Sequence, residues 1–211
     1  FVFSQHFNVS INETGESTLF IFEDTIDNLQ IGDEIGLFDE NGLLDSDGNM
    51  GEVLVGSGIW DGAQLEVTTI LAVDLSQFGG PILPGAINGN ELSLKVWDVS
   101  NQFEYSVLSY SLTVGSGTFN GLFSAINQIE LPEPHFMLEI EETGESSLFI
   151  FEDTITSLSP GDEVGLFDLN GFIDSEGNTG EILVGTGIWN GSQLDVVGIQ
   201  GVDLSQFGGP I

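Results

Sequence analysis

The chain has 211 residues, with 34 Asp and Glu against a single cation, Lys95, and a formal net charge of −33. A surface this acidic repels nucleic acid and anionic lipid and gathers counter-ions, divalent cations above all, so no nucleic-acid partner is expected. Zero cysteines exclude a disulfide framework, a thiolate zinc site and a cysteine nucleophile.

Hydrophobic residues make up 40% of the chain, 16 Phe among them, and they alternate as strand residues do, which predicts a folded acidic protein and not a disordered one. Residues 1–11 set Phe7, Val9 and Ile11 on one side of an extended segment and predict a first strand. ETGES at 13–17 is a turn, TLFIFEDTI a second, mostly buried strand, and GDEIGLFDENG a third that ends in a tight turn at Asn41-Gly42. An acidic stretch, LLDSDGNMG, leads into EVLVGSGIW, and Asp61-Gly62 predicts a hairpin in which AQLEVTTILAV runs back against that strand. Residues 74–90 hold too much Gly and Pro for regular structure and read as a long crossover loop. Three more strands are predicted at 91–98, 103–114 and 122–131, before Pro132-Glu133-Pro134 stiffens a linker. No helical periodicity of useful length occurs, and no apolar run reaches the roughly 18 residues of a membrane span. Opening on Phe1, the chain reads as a processed or excised piece. About eight short strands at turn spacing predict an all-β fold, an antiparallel β-sandwich.

Residues 14–82 return at 143–211 with a constant offset of 129 and 49 of 69 positions identical. That period exceeds the roughly 20–50 residues of solenoid and propeller repeats and means whole domains in series. The predicted organisation is a complete repeat over 1–131, a linker at 132–134, and a second, truncated copy at 135–211 that opens on a strand at 135–140. The second copy lacks counterparts of residues 83–131, which would leave open sheet edges. Either the chain is a slice of a longer array, or a neighbouring molecule completes the copy by strand addition with residues 1–11 as donor. The expected partners are therefore neighbouring repeats or copies of the chain itself.

Asp45, Asp47, Asn49 and Glu52 place oxygens at alternating positions around a glycine, with Asp39 upstream, and the second copy offers Asp168, Asp174, Glu176, Asn178 and Glu181. Oxygens so arranged suit a hard cation with six to eight ligands, which predicts Ca2+, although the spacing is not that of an EF-hand. The plain alternative is that Asp, Asn and Gly make turns unaided. Trp60 and Trp189 each close a strand before a tight turn, where an exposed ring would stack on sugar and a buried one would plug the core. His6 and His135 occupy one repeat position, so a copy offers a single histidine, and neither a His-rich zinc site nor a Ser-His-Asp triad is expected. The glycines of VGSGIW and VGSGTF precede no helix and are not phosphate loops. With 34 acids a two-carboxylate glycosidase stays open, but nothing marks a pair in a cleft. Sequons at Asn8, Asn12 and Asn190 matter only where the host glycosylates.

GDEIGLFD, then LVGSGIWDG, LEVTTI and LSLKVWD, resembles a repeat of large surface and type IX secreted proteins of Bacteroidetes and related marine bacteria, over roughly residues 15–110 and 144–211. The resemblance implies a β-sandwich module in cell-surface or secreted chains. That family often carries a "G.LCVG" segment, whereas this chain has no Cys and inserts DSDGNMGE. The expected function is thus a non-enzymatic extracellular repeat of a stalk, adhesin or filament, stabilised by calcium, with no insertion into the membrane. The alternative is a carbohydrate-binding module that contacts polysaccharide through Trp60 and Trp189.

Overall fold

The computed structural model describes residues 5–204, and the chain divides into two compact units, Phe1–Pro132 and Glu133–Ile211. The described residues are all-β. The first unit contains β1 (Ser17–Phe22), β2 (Glu34–Leu43), β3 (Met50–Ile59), β4 (Leu65–Ile70), the two-residue β5 (Val73–Asp74) and β6 (Ile82–Leu83), β7 (Ser93–Asp98), β8 (Phe103–Ser106), β9 (Ser109–Val114) and β10 (Phe123–Glu130). They form two four-stranded sheets, β4-β1-β10-β9 and β3-β2-β7-β8. Alternation sends Phe20 and Phe22 of β1 inward from the first sheet and Ile35, Leu37, Val55, Leu94 and Val96 inward from the second, while a register shift after Ile126 of β10 brings Ile129 to the same face as Ile126. All belong to one buried core.

The pairing departs from an antiparallel expectation, because β1 and β10 run parallel, with Leu19 opposite Phe123 and Phe22 opposite Ile126. The predicted hairpin at Asp61-Gly62 is also absent: β3 pairs with β2, and β4 with β1 in the other sheet. The chain crosses between sheets there, and the glycines of β3 make room. A Cβ at Gly56 would lie 3.0 Å from Val67 Cγ1, and one at Gly58 3.0 Å from Leu65 Cδ2. Asn41-Gly42 is no turn either. It lies inside β2 at a register shift between Asp39 and Gly42, where a Cβ on Gly42 would stand 2.9 Å from Gly85 O. The turn falls later, in the acidic stretch itself. The single strand expected over 103–114 breaks at Val107-Leu108, β8 pairing with β7 and β9 with β10, so this segment too changes sheet. Residues 74–90 are more ordered than their composition suggests, with the β5–β6 pair and a 3₁₀ turn at Ser76–Phe78.

Residues 5–11 are not a strand, and residues 1–4 lie outside the described ones. Phe7 is instead buried on the outer side of β2, where the missing side chain of Gly36 leaves its place and Phe38 meets it edge-on at 5.7 Å.

The second unit contains β11 (Ser146–Phe151), β12 (Glu163–Phe172), β13 (Thr179–Ile188) and β14 (Leu194–Ile199), paired β11-β14 and β12-β13. Each pairing reproduces the register of its first-unit counterpart, down to the same shifts between Leu166 and Phe167 and between Asp168 and Gly171. Residues 135–140 form no strand; Phe136 meets Phe167 at 5.8 Å as Phe7 meets Phe38.

Candidate functional site

The acidic stretch turns the chain from β2 into β3, and Asp45 closes it. Its Oδ1 accepts the amides of Asp47 at 2.9 Å and Asn49 at 3.2 Å, and its Oδ2 accepts Asn49 Nδ2 at 2.7 Å. Gly48 supplies the positive φ of 82° that the turn requires. These bonds favour the charged form, and the Asn49 side chain, then its backbone amide, hold the Asp45 carboxyl below the usual aspartate range. The second unit repeats the arrangement: Asp174 accepts Glu176 N at 2.9 Å, Asn178 N at 3.1 Å and Asn178 Nδ2 at 2.7 Å, and its carboxyl is lowered for the same reasons. Both carboxylate oxygens in each copy thus face donors of their own turn.

The other expected calcium ligands stand elsewhere. Asp39 is buried under the 87–90 segment, where its Oδ2 accepts Ile87 N at 2.8 Å and Asn90 Nδ2 at 2.9 Å, and its Oδ1 accepts Asn41 N at 2.9 Å. Glu52 points to Lys95, with Oε1 2.8 Å from Nζ. Asp47, Glu176 and Glu181 are exposed. Among the described residues no three His, Asp or Glu come together as a metal site.

Trp60 and Trp189 are 2% and 1% exposed, so of the two readings the core plug holds and neither ring offers a face to a sugar. Backbone bonds fix both positions: Trp60 N donates to Asp33 O and Gly32 N to Trp60 O, each at 2.8 Å, and Trp189 repeats this with Asp162 and Gly161.

Two constellations were not singled out in the sequence. The Glu34 carboxylate takes the amides of His6 at 2.9 Å and Phe7 at 3.0 Å and so clamps residues 6–7 onto the start of β2. Glu163 does the same for His135 at 2.8 Å and Phe136 at 2.9 Å. The GDE triplet opening both strands was the available signal. The second constellation surrounds Lys95, the only cation. Its ammonium lies 4.6 Å over the Phe38 ring and 3.5 Å from Glu104, while His6 Nε2 stands 2.9 Å from Glu104 and the imidazole stacks on Trp97 at 3.9 Å. Burial alone would lower the Lys95 pKa, but the bond to Glu52 and the charges of Glu104 and Glu52 outweigh it and raise it. A lone cation in so acidic a chain was bound to be paired, and Lys95 and Trp97 share a strand face, so this grouping was legible in part.

The arrangement is chemistry of attachment. Carboxylates bind amides, close turns and hold one ammonium, and no nucleophile stands beside a base in these groups. Comparison with protein families, with curated proteins and with solved structures finds no match.

Proposed function

We propose that the chain is part of a non-enzymatic, extracellular array in which a β-sandwich repeat builds a stalk, adhesin or filament. One observation carries this: three polar residues identical between the two copies make the same fold-holding bonds in each. Glu34 and Glu163 clamp the same incoming segment, Asp45 and Asp174 close the same turn, and Thr14 and Thr143 each donate to the neighbouring strand end, at Leu71 O and Gln200 O. A binding or catalytic repeat would aim such side chains at solvent or a cleft; here the Glu34, Glu163, Asp45 and Asp174 carboxylates take backbone amides. The two four-stranded sheets sharing one core support the sandwich, and the likeness of GDEIGLFD and LVGSGIW to secreted Bacteroidetes repeats supports the extracellular placing.

Calcium enters this reading as counter-ion to a chain of net charge −33. Its tighter form, a bound ion on Asp45, Asp47, Asn49 and Glu52, would have to share the Asp45 carboxylate with the three bonds it already accepts and draw Glu52 from Lys95. Copies of the repeat are the proposed partners. Immunogold labelling of source cells with an antibody to residues 5–131 tests the reading: label on surface fibres or stalks is expected, and label confined to the cytoplasm overturns it.

A further inference from the structure

Among the described residues, the second unit carries an open groove whose shape and charge are specified by the first. β11 and β12 each pair on one side, with β14 and β13. Their counterparts β1 and β2 pair on both sides, the added partners being β10, parallel, and β7, antiparallel. The faces left open are apolar. Phe149 is 47% exposed and Phe167 46%, where Phe20 and Phe38 are 0% and 7%. Two cavities lie along this side, one of about 710 Å³ bordered by Phe149, Leu166 and Val184, the other of about 560 Å³ bordered by Ile173, Ile182 and Ile199.

We infer that this groove is the docking site for a further copy of the segment formed by residues 83–131, and three features of the second unit specify that occupant. The first is Asp168, which borders both cavities. Among the described residues only Asn170 N, at 2.9 Å, reaches it, whereas its counterpart Asp39 also holds Ile87 N and Asn90 Nδ2. A docked "AINGN" sequence brings those donors. The second is Glu181, which pairs with no cation among the described residues, while its counterpart Glu52 holds Lys95, a residue the segment carries. Charge complementarity in a chain with 34 acids therefore selects a segment bearing that lysine. The third is space. In the first unit Gly85 exchanges backbone bonds with Leu43 at 2.9 and 3.0 Å, at φ +152°, and a Cβ there would stand 2.7 Å from Ala72 N and Leu71 C. The matching floor in the second unit is Gln200-Gly201, over which the Phe172 ring now leans, 2.8 Å from a Cβ at Gly201. The occupant must pass that floor as glycine and displace the ring.

Of residues 1–11, the donor the sequence suggests, His6 and Phe7 are already engaged. The His6 and Phe7 amides are held by Glu34 and Phe7 is buried, and in the second unit the equivalent seat is filled by His135 and Phe136 on Glu163.

The test is hydrogen exchange by mass spectrometry on the 211-residue chain, on the chain with residues 83–131 appended after Ile211, and on that extension carrying G85A in the appended copy. Exchange in β1 and β2 reports in every sample that the first unit is folded. The extension is expected to slow exchange in β11 and β12 on the order of a hundred-fold, and G85A to reverse most of this. An extension that leaves β11 and β12 exchanging as in the parent overturns the inference, and so does a G85A extension that protects equally. Concentration-dependent protection of β11 and β12 in the unextended chain shows that some other surface of a second molecule fills the groove, and likewise overturns it. The inference rests on the two units being copies of one repeat; its failure would leave surface labelling of fibres untouched, so the two can fail separately.

Discussion

Phe20 and Phe149 occupy the same position in nearly the same sequence, yet one is fully buried and the other 47% exposed. Trp60 and Trp189, by contrast, are buried in both units. The difference lies in how far away along the chain the covering residues are. Trp60 is enclosed by backbone less than 30 residues away, at Gly32 and Asp33, so a unit with only the shared segment still encloses it. Phe20 meets Phe119 edge-on at 5.6 Å, and β1 pairs with β10, both about a hundred residues on. Turns, clamps and the Trp seat are thus local and autonomous, while the core depends on contacts of long sequence separation, whose loop closure has to be offset before they contribute.

The strongest way to break this comparison is to delete the two rings. Phe20→Ala should cost the first unit about 3–5 kcal/mol, as expected for a large buried aromatic, and Phe149→Ala should cost the second at most about 1 kcal/mol because the ring is half in water already. Urea unfolding followed by exchange in each unit reads the two separately, and equal costs would refute the account. Next comes the amide clamp. Glu34→Gln replaces a charged acceptor of two backbone amides at 2.9 and 3.0 Å with a neutral one, and should cost about 2 kcal/mol and free residues 6–7 to exchange. Glu163→Gln should do the same at a smaller cost, since its surroundings are wetter. Unchanged exchange at Phe7 in the Glu34 variant would show that the Phe7 ring alone holds the segment.

This division also explains what could be read in the sequence. Strand positions such as TLFIF are local patterns, and they stand where the alternation puts them. Partners are not local. VGSGIW, Asp-Gly and LEVTTI look like a hairpin because nothing in them states that Gly56 and Gly58 exist for β4 to approach from another sheet. Asn41-Gly42 looks like a turn because the need for a bare backbone opposite Gly85 is written more than forty residues later. The candidate site is of the same kind: the Asp-x-Asp-x-Asn pattern describes a self-closing turn as well as an ion loop, and the donors that meet Asp39 and Glu52 come from residues 87–95, far along the chain.

Charge sharpens the comparison at a smaller scale. With net charge −33 the melting temperature should rise as monovalent salt goes from about 10 mM to about 0.5 M, because screening shortens from roughly 30 Å to a few ångströms. Asp33 adds a pH dependence to the first unit. Burial raises its pKa, the Gln30 and Val99 amides oppose this, and Asp98 adds to the rise. A raised folded value means the fold prefers the protonated acid, so this contribution is complete below the ordinary value of 3.8 and is lost as pH climbs through the folded value. Mild acidification from neutral should therefore stabilise the first unit, and Asp33→Asn should flatten that rise. Asp45, Asp74 and Asp174 act oppositely: their lowered values give stability above the ordinary 3.8 that is lost as pH falls through them. A melting temperature falling steadily from pH 7 downward would contradict the Asp33 assignment.

The smallest expected effect is that of ion identity. Hard cations such as Ca2+ need six to eight oxygens at 2.3–2.6 Å, whereas the turn presents a carboxylate already holding three donors, with Asp39 buried elsewhere and Glu52 on Lys95. If calcium acts on this chain by screening, replacing it with magnesium at equal concentration should leave both units' melting temperatures unchanged, and a chelator should do no more than the matching loss of ionic strength. Asp45→Ala and Asp174→Ala should then destabilise their own units to the same extent with and without chelator, because each removes a turn closure present in either condition. A bound ion makes the opposite forecast: a chelator lowers the melting temperature by mass action, calcium outperforms magnesium, and Asp45→Ala abolishes the difference in the first unit alone. The two copies make the comparison internal, since each variant leaves an intact acidic turn in the other unit of the same molecule as its control.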